Sequence, residues 1–256
     1  MILRPLDPTP ATSTEFLPAW SVVEQSQRHV ADACWMITQP SHAALAGELA
    51  ARMAGANLPN LDATVIRAIA LHDAGWGMPD AQAIMQSRSI SQSAPKSFVA
   101  CGVGVFVNAW EKSIDVTASA SATGGYIVSR HFERIAKVNG SKLPQGDGQT
   151  MEGFLYNEAE RQKKLATNQE RTAEELEQLT DVLQFCDLLS LYVCCGARQN
   201  VEFPEYFGTK ARLIVEADSY QLDPILIEPG TEFAVAALRH PATKEASGKE
   251  ISIRIG

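Results

Sequence analysis

Apolar residues recur along this chain with two spacings, one helical and confined to the middle, one strand-like and concentrated near the end. The run from His42 to Met53 is dense in Ala and Leu between Ser41, a natural N-cap, and Gly55, which predicts a helix over 42–54 with His42 in its first turn. A second helix starts near Asp62 and carries an apolar stripe through Val65, Ile66 and Ile69 to Asp73, with Gly75 ending it. Residues three and four apart share a helix face, so His72 and Asp73 continue that stripe and point toward the core. Asp80–Arg88 forms a shorter helical pattern, and Phe98–Trp110 reads as a helix despite Gly102 and Gly104. Asp115–Phe132 is rich in small residues that let a helix lie close against a neighbour, and His131 falls near its end. A loop over 139–150 precedes a charged helix, 152–167, expected to be exposed. The helix from Thr172 to Cys195 is apolar on nearly every side between Val182 and Val193, the mark of a central buried element, and Asp187 stands in its middle.

The strand-like segments are fewer. Ala33–Thr38 reads as a short buried strand stopped by Gln39-Pro40, whereas residues 1–30 are rich in Pro, Thr and Ser with little periodicity. Over the last fifty residues, Arg212–Glu216, Ile225–Ile227, Glu232–Leu238 and Ile251–Ile255 alternate or run apolar, with a turn at Glu228-Pro229-Gly230. A small antiparallel sheet follows, recruiting the strand at 33–38 or the N-terminal segment. The expected fold class is mainly α: a helical bundle with a small antiparallel β element from the N- and C-terminal segments. It is read as a single domain over 1–256, with a helical core at 33–208 and a β-rich appendage at 209–256.

Composition narrows the function classes. With 45% hydrophobic and 20% charged residues among 256, the chain is an ordinary globular protein. A net charge of -8 spread without blocks provides no electrostatic footprint for a nucleic acid duplex. Apolar stretches fall short of the roughly 18–20 residues that span a bilayer. The N-terminus, with Asp7 and several prolines, lacks a signal-peptide layout, so the expectation is a cytoplasmic protein with no membrane partner. Five cysteines, an odd number without C-x-x-C pairing, point to reduced thiols, with Cys194 and Cys195 as small hydrophobes.

The chemistry lies in the buried ionisable residues. An ionised carboxylate inside an apolar helix must be protonated, paired or bound to a cation, and no Lys or Arg lies within one turn of Asp187. Asp73 makes the same demand. A divalent metal meets both, because neutral imidazoles and carboxylates are good ligands and the cation offsets both charges.

A His at the start of one helix, adjacent His-Asp at the end of the next and a distant Asp in a later central helix resembles the HD-domain superfamily of metal-dependent phosphohydrolases. The resemblance implies an HD-like helical fold with His42, His72, Asp73 and Asp187 as ligands to one divalent ion, drawn from Fe, Mn, Ni, Zn, Co or Mg. The chain also resembles a bacterial family catalogued only as a domain of unknown function. That likeness lies in Trp35-Met36-Ile37-Thr38-Gln39-Pro40-Ser41-His42-Ala43-Ala44-Leu45-Ala46, in Ala70-Leu71-His72-Asp73-Ala74-Gly75-Trp76 and in Ser129-Arg130-His131-Phe132. It brings no reaction with it.

Two-metal members of the superfamily carry two further histidines where this chain has only His131, which favours a single metal with His131 lining the site behind the ligands, as a substrate contact or as a proton-transfer residue, direct ligation by His131 staying open. His29 and His240 lie outside the pattern. Trp35 and Trp76 are expected to fill the core. Gln39 and Ser129 are site candidates by proximity alone. The implied activity is hydrolysis of a small phosphorylated compound, a nucleotide or related phosphoester. Asp73 would orient the metal, His131 would transfer a proton and Arg130 would neutralise developing charge. The rival readings are a non-catalytic metal- or ligand-binding regulatory protein and an iron-dependent oxygenase. The expected partner is a small molecule, and a homodimer is compatible with the sequence.

Overall fold

The computed structural model describes residues 1–9, 13–28, 32–55, 58–88, 94–140, 145–167, 169–243 and 247–255. Eight α-helices and eight strands are present among them: α1 Ala19–Arg28, α2 Gln39–Ala51, α3 Ala63–Leu71, α4 Gly77–Ser87, α5 Val103–Ala120, α6 Ala122–Gly140, α7 Gln145–Thr167 and α8 Ala173–Cys194, with β1 Ile2–Pro5, β2 Leu17–Pro18, β3 Cys34–Ile37, β4 Val201–Tyr206, β5 Thr209–Val215, β6 Tyr220–Asp223, β7 Thr231–His240 and β8 Gly248–Ile255.

The strands form one eight-stranded sheet in the order β1-β3-β7-β8-β6-β5-β4-β2. Most neighbours are antiparallel, but β2–β4 and β6–β8 are parallel. This overturns the expectation of a mainly α bundle carrying a small antiparallel element: the protein is an α/β fold with a mixed sheet. The reason is physical. β1, β2, β4 and β6 are short or proline-bearing, so their own sequences carry weak signals; β1 and β2 pair only with segments far along the chain, and β4 and β6 are held on either side of β5. Ile225–Ile227 is no strand, contributing only the bridge of Ile227 to Met53.

Alternation along the long strands fixes which face is buried. Phe233, Val235 and Ala237 of β7 and Ile251, Ile253 and Ile255 of β8 share one core with the helices. β3 is buried on both faces: Trp35 and Ile37 join that core, while Cys34 and Met36 meet Met1, Leu3 and part of α4. At the β1 edge the Gln27 side chain stands in for a further strand, accepting from the Leu3 N–H at 2.9 Å and donating to the Leu3 carbonyl at 2.8 Å. Among the described residues no helix is long and apolar enough to cross a membrane.

Helix boundaries shift where caps decide them. α2 starts three residues before His42, because Thr38 rather than Ser41 caps it and Pro40 occupies the first turn. Asp62 caps α3 as expected, accepting from the N–H groups of Thr64 and Val65. α3 stops at Leu71, and a 3₁₀ turn over Ala74–Trp76 follows. Gly75 belongs to that turn and lies so close to α5 that an added methyl would fall 2.0 Å from the Ala109 carbonyl oxygen. The predicted Phe98–Trp110 helix is a 3₁₀ turn at Phe98–Ala100 followed by α5. The small-residue stretch divides at Ser121, where extended backbone separates α5 from α6. α7 begins before Glu152 and is not simply exposed, since Met151, Phe154, Glu158 and Gln162 form one buried face. Thr172 and Glu175 close a capping box at the start of α8.

Candidate metal centre

Three helices, α2, α6 and α8, and the turn after α3 bring five ionisable side chains together. Gly47 in α2 lets that helix press against α3, where a methyl would meet the Ala70 Cβ at 2.5 Å. This close approach sets His42 beside the end of α3. Asp187 comes from α8, which packs behind α2, and His131 from α6, which packs against α3 and α8. His42, His72 and His131 are fully buried, Asp73 is 6% exposed and Asp187 9%, so the carboxylates form the route to solvent.

Hydrogen bonds fix two of the imidazoles. The Ser190 hydroxyl donates to the Asp187 carbonyl at 2.8 Å, leaving its oxygen to accept from His42 Nδ1 at 3.0 Å. His72 Nδ1 donates to the Ile69 carbonyl at 2.7 Å. In neutral rings both Nε2 atoms therefore carry lone pairs. His42 Nε2 faces Asp73 Oδ2 at 2.9 Å, and His72 Nε2 faces Asp187 Oδ1 at 3.1 Å and Asp73 Oδ2 at 3.9 Å. A lone pair against a carboxylate is repulsive unless a proton or another cation stands between them. The arrangement selects positive charge at its centre.

Electrostatics agree. Burial opposes charge on His72, but the carboxylates of Asp73 and Asp187 outweigh it and lift the pKa to about 9. Burial pushes Asp187 upward, yet the His72 hydrogen bond and the surrounding imidazoles bring it down to about 2. His131 is driven to about 4, mainly by burial, and is neutral at physiological pH. Its Nε2 lies 3.7 Å from Asp187 Oδ2, while Nδ1 is buried without a partner. Donor atoms fall into two overlapping groups, His42–His72–Asp73 and His72–His131–Asp187, each with its atoms within 4.8 Å of one another.

The other residues singled out by the sequence are placed differently. Arg130 is not directed at this cluster: its guanidinium binds Glu177 at 2.7 and 3.2 Å and Glu133 at 2.6 Å. Ser129 donates to Glu158 at 2.8 Å, on the α7 side of α6. Gln39 is buried, its side-chain oxygen unpartnered and its backbone N–H donating to Asp80. Trp35 and Trp76 are core residues, and His240 is buried at the end of β7. His29 lies outside the described residues. Two residues passed over are Ser190 and Arg134. Ser190 follows Asp187 by three in an apolar helix, a spacing that announces a shared face. Arg134 reaches His131 through its field and is held by Glu177, Asp181 and Gln184. Two surface cavities, of about 200 and 360 Å³, lie elsewhere and are lined by none of the five cluster residues.

A family model described as protein of unknown function DUF3891 matches residues 27–229, a span containing all five side chains. The chain belongs to this family. Neither the curated proteins nor the solved structures contain a match to it. For this member of DUF3891, then, the chemistry rests on the cluster itself.

Proposed function

We propose that this DUF3891 protein is a divalent-metal-dependent hydrolase of HD type acting on a small phosphorylated compound. The observation that carries the reading is the pair of imidazole lone pairs, fixed by Ser190 and Ile69, aimed at the carboxylates of Asp73 and Asp187. The donor set fits a divalent ion: neutral nitrogens, two carboxylate oxygens and second partners that orient the rings. His42, His72, Asp73 and Asp187 hold it. A bound divalent ion supplies an acidified water and polarises a phosphoryl oxygen.

The protein's own contribution is orientation and exclusion of water. Ser190 and the Ile69 carbonyl hold the tautomers that present Nε2. Burial of the three rings leaves the carboxylate side as the approach for substrate. Arg130 reaches a phosphate only by leaving Glu177 and Glu133, so its charge-neutralising role requires a rearrangement of those pairs.

The test is a panel of phosphomonoesters and nucleotides assayed with several divalent ions. Phosphate release that disappears in Asp73→Ala, while the variant keeps its fold, supports the reading. Release that survives both Asp73→Ala and chelation overturns it. Ligand binding without turnover would favour a regulatory protein, and tightly held iron with oxygen consumption would favour oxidative chemistry.

A further inference from the structure

We propose that His131 is a fifth ligand, and that the whole cluster takes one borderline transition-metal ion rather than two ions or magnesium. This rests on the metal reading above and goes beyond it in ligand set, stoichiometry and ion class.

His72 belongs to both donor groups. Its Nδ1 is committed to the Ile69 carbonyl at 2.7 Å, so Nε2 offers the ring's one available lone pair. One lone pair binds one cation. Two ions, one in each group, would compete for it, and an ion denied His72 in the second group keeps only His131 and Asp187. Two protein ligands make a poor site beside the three or four of an established metal centre. The two groups are two halves of one coordination shell.

His131 is 1% exposed, and its Nδ1 is buried with no hydrogen-bond partner among the described residues. Nε2 stands 3.7 Å from Asp187 Oδ2, beyond hydrogen-bond range. A histidine that merely filled the core would have found a partner, as buried polar side chains do and as His42 and His72 have done. His131 instead meets His72 edge to face at 5.5 Å, repeating the 5.3 Å contact between His42 and His72. Three imidazoles thus step around the two carboxylates, and the third presents Nε2 to Asp187 without hydrogen-bonding it, at a distance that leaves room for an ion between them.

The ion class follows from the count. Magnesium favours oxygen ligands and keeps several waters, whereas imidazole suits iron, nickel, copper and zinc. Three nitrogens and two carboxylates select an ion of that row.

The experiment uses the full chain, stripped with a chelator and reloaded with Co²⁺. One equivalent is expected per chain, with X-ray absorption counting three imidazoles around it, and a hundredfold excess of Mg²⁺ leaving it in place. His131→Ala is expected to show two imidazoles and at least tenfold weaker cobalt binding. Two imidazoles in the unaltered protein, two equivalents of cobalt per chain, or displacement by Mg²⁺ would each overturn the inference while leaving the metal reading intact. The imidazole count on the unaltered protein needs no variant to fold. Failure to bind cobalt at all would overturn the metal reading and this inference together.

Discussion

Two clusters of charge sit within a few helical turns of each other on α6 and α8, and they are built on opposite terms. On the outer side, Arg130, Arg134 and Lys137 meet Glu133, Glu177 and Asp181 in pairs of 2.6 to 2.7 Å, three cations against three carboxylates. Every charge there has its counterpart, so the set closes on itself and serves to join helices. On the inner side, two carboxylates share three imidazoles, two of which turn Nε2 toward them, a lone pair when the ring is neutral. That set depends on added positive charge, a proton on His72 or another cation, in a place where an unmet charge is far more expensive than at the surface. A balanced network needs nothing further, whereas the buried one draws in a proton or, as we propose, a divalent ion.

The largest effect is expected on the inner cluster. Asp187→Asn removes a charge that faces all three imidazoles, and metal affinity should fall by about a hundredfold or more, two tenfold steps of about 1.4 kcal/mol each. Calorimetric titration reads this directly, and an unchanged affinity would remove Asp187 from the centre.

Metal loading should also reverse the response to pH. In metal-free protein the folded-state pKa of His72, about 9, is raised above the unfolded value of roughly 6.5. Its stabilising contribution is then fully present below the unfolded value and lost as pH rises through the folded one. Chelated protein should therefore lose stability from about pH 6.5 to 9, while the increment due to metal grows over the same range because protons compete less. Melting curves with and without chelator measure both slopes, and parallel curves would contradict the account.

A smaller effect is expected from Ser190→Ala. Losing the partner of His42 Nδ1 frees the ring to adopt the wrong tautomer, and outer partners of this kind are worth roughly 10- to 100-fold in metal affinity. The fold should hold, so circular dichroism should match the unaltered protein while the titration does not.

The smallest change belongs to the outer cluster. Arg130→Gln breaks half-exposed pairs of a type worth about 0–1 kcal/mol. Metal affinity should stay the same, and a large loss of it would show that the two clusters act as one.

What the sequence made legible follows the same division. An aspartate inside the apolar stretch of α8 and a His-Asp pair at the end of the α3 stripe are contradictions within a single helix, visible without any partner. The caps at Asp62 and Thr172 are equally local. Arg130 reads as available to a phosphate only if Glu133, three residues on, is overlooked, and its other carboxylate partner, Glu177, lies 47 residues away, a pairing that only the packing of α6 on α8 creates. Half of the strands were hidden for the same reason, β1, β2, β4 and β6. β1 pairs with β3 across the whole of α1, and β6 with β8 across β7, so the mixed topology depends on register over long separations rather than on local alternation. Ser190 was within reach, three residues beyond Asp187 on the same face, but a serine in an apolar helix reads as a tolerated polar residue until the imidazole it orients is seen.

Elemental analysis of the protein purified without added metal tests the central claim most directly. The account predicts one equivalent of a divalent transition metal per chain, removable by chelator with a fall in melting temperature. Protein that is isolated metal-free, and whose melting temperature responds to no divalent ion, would contradict it.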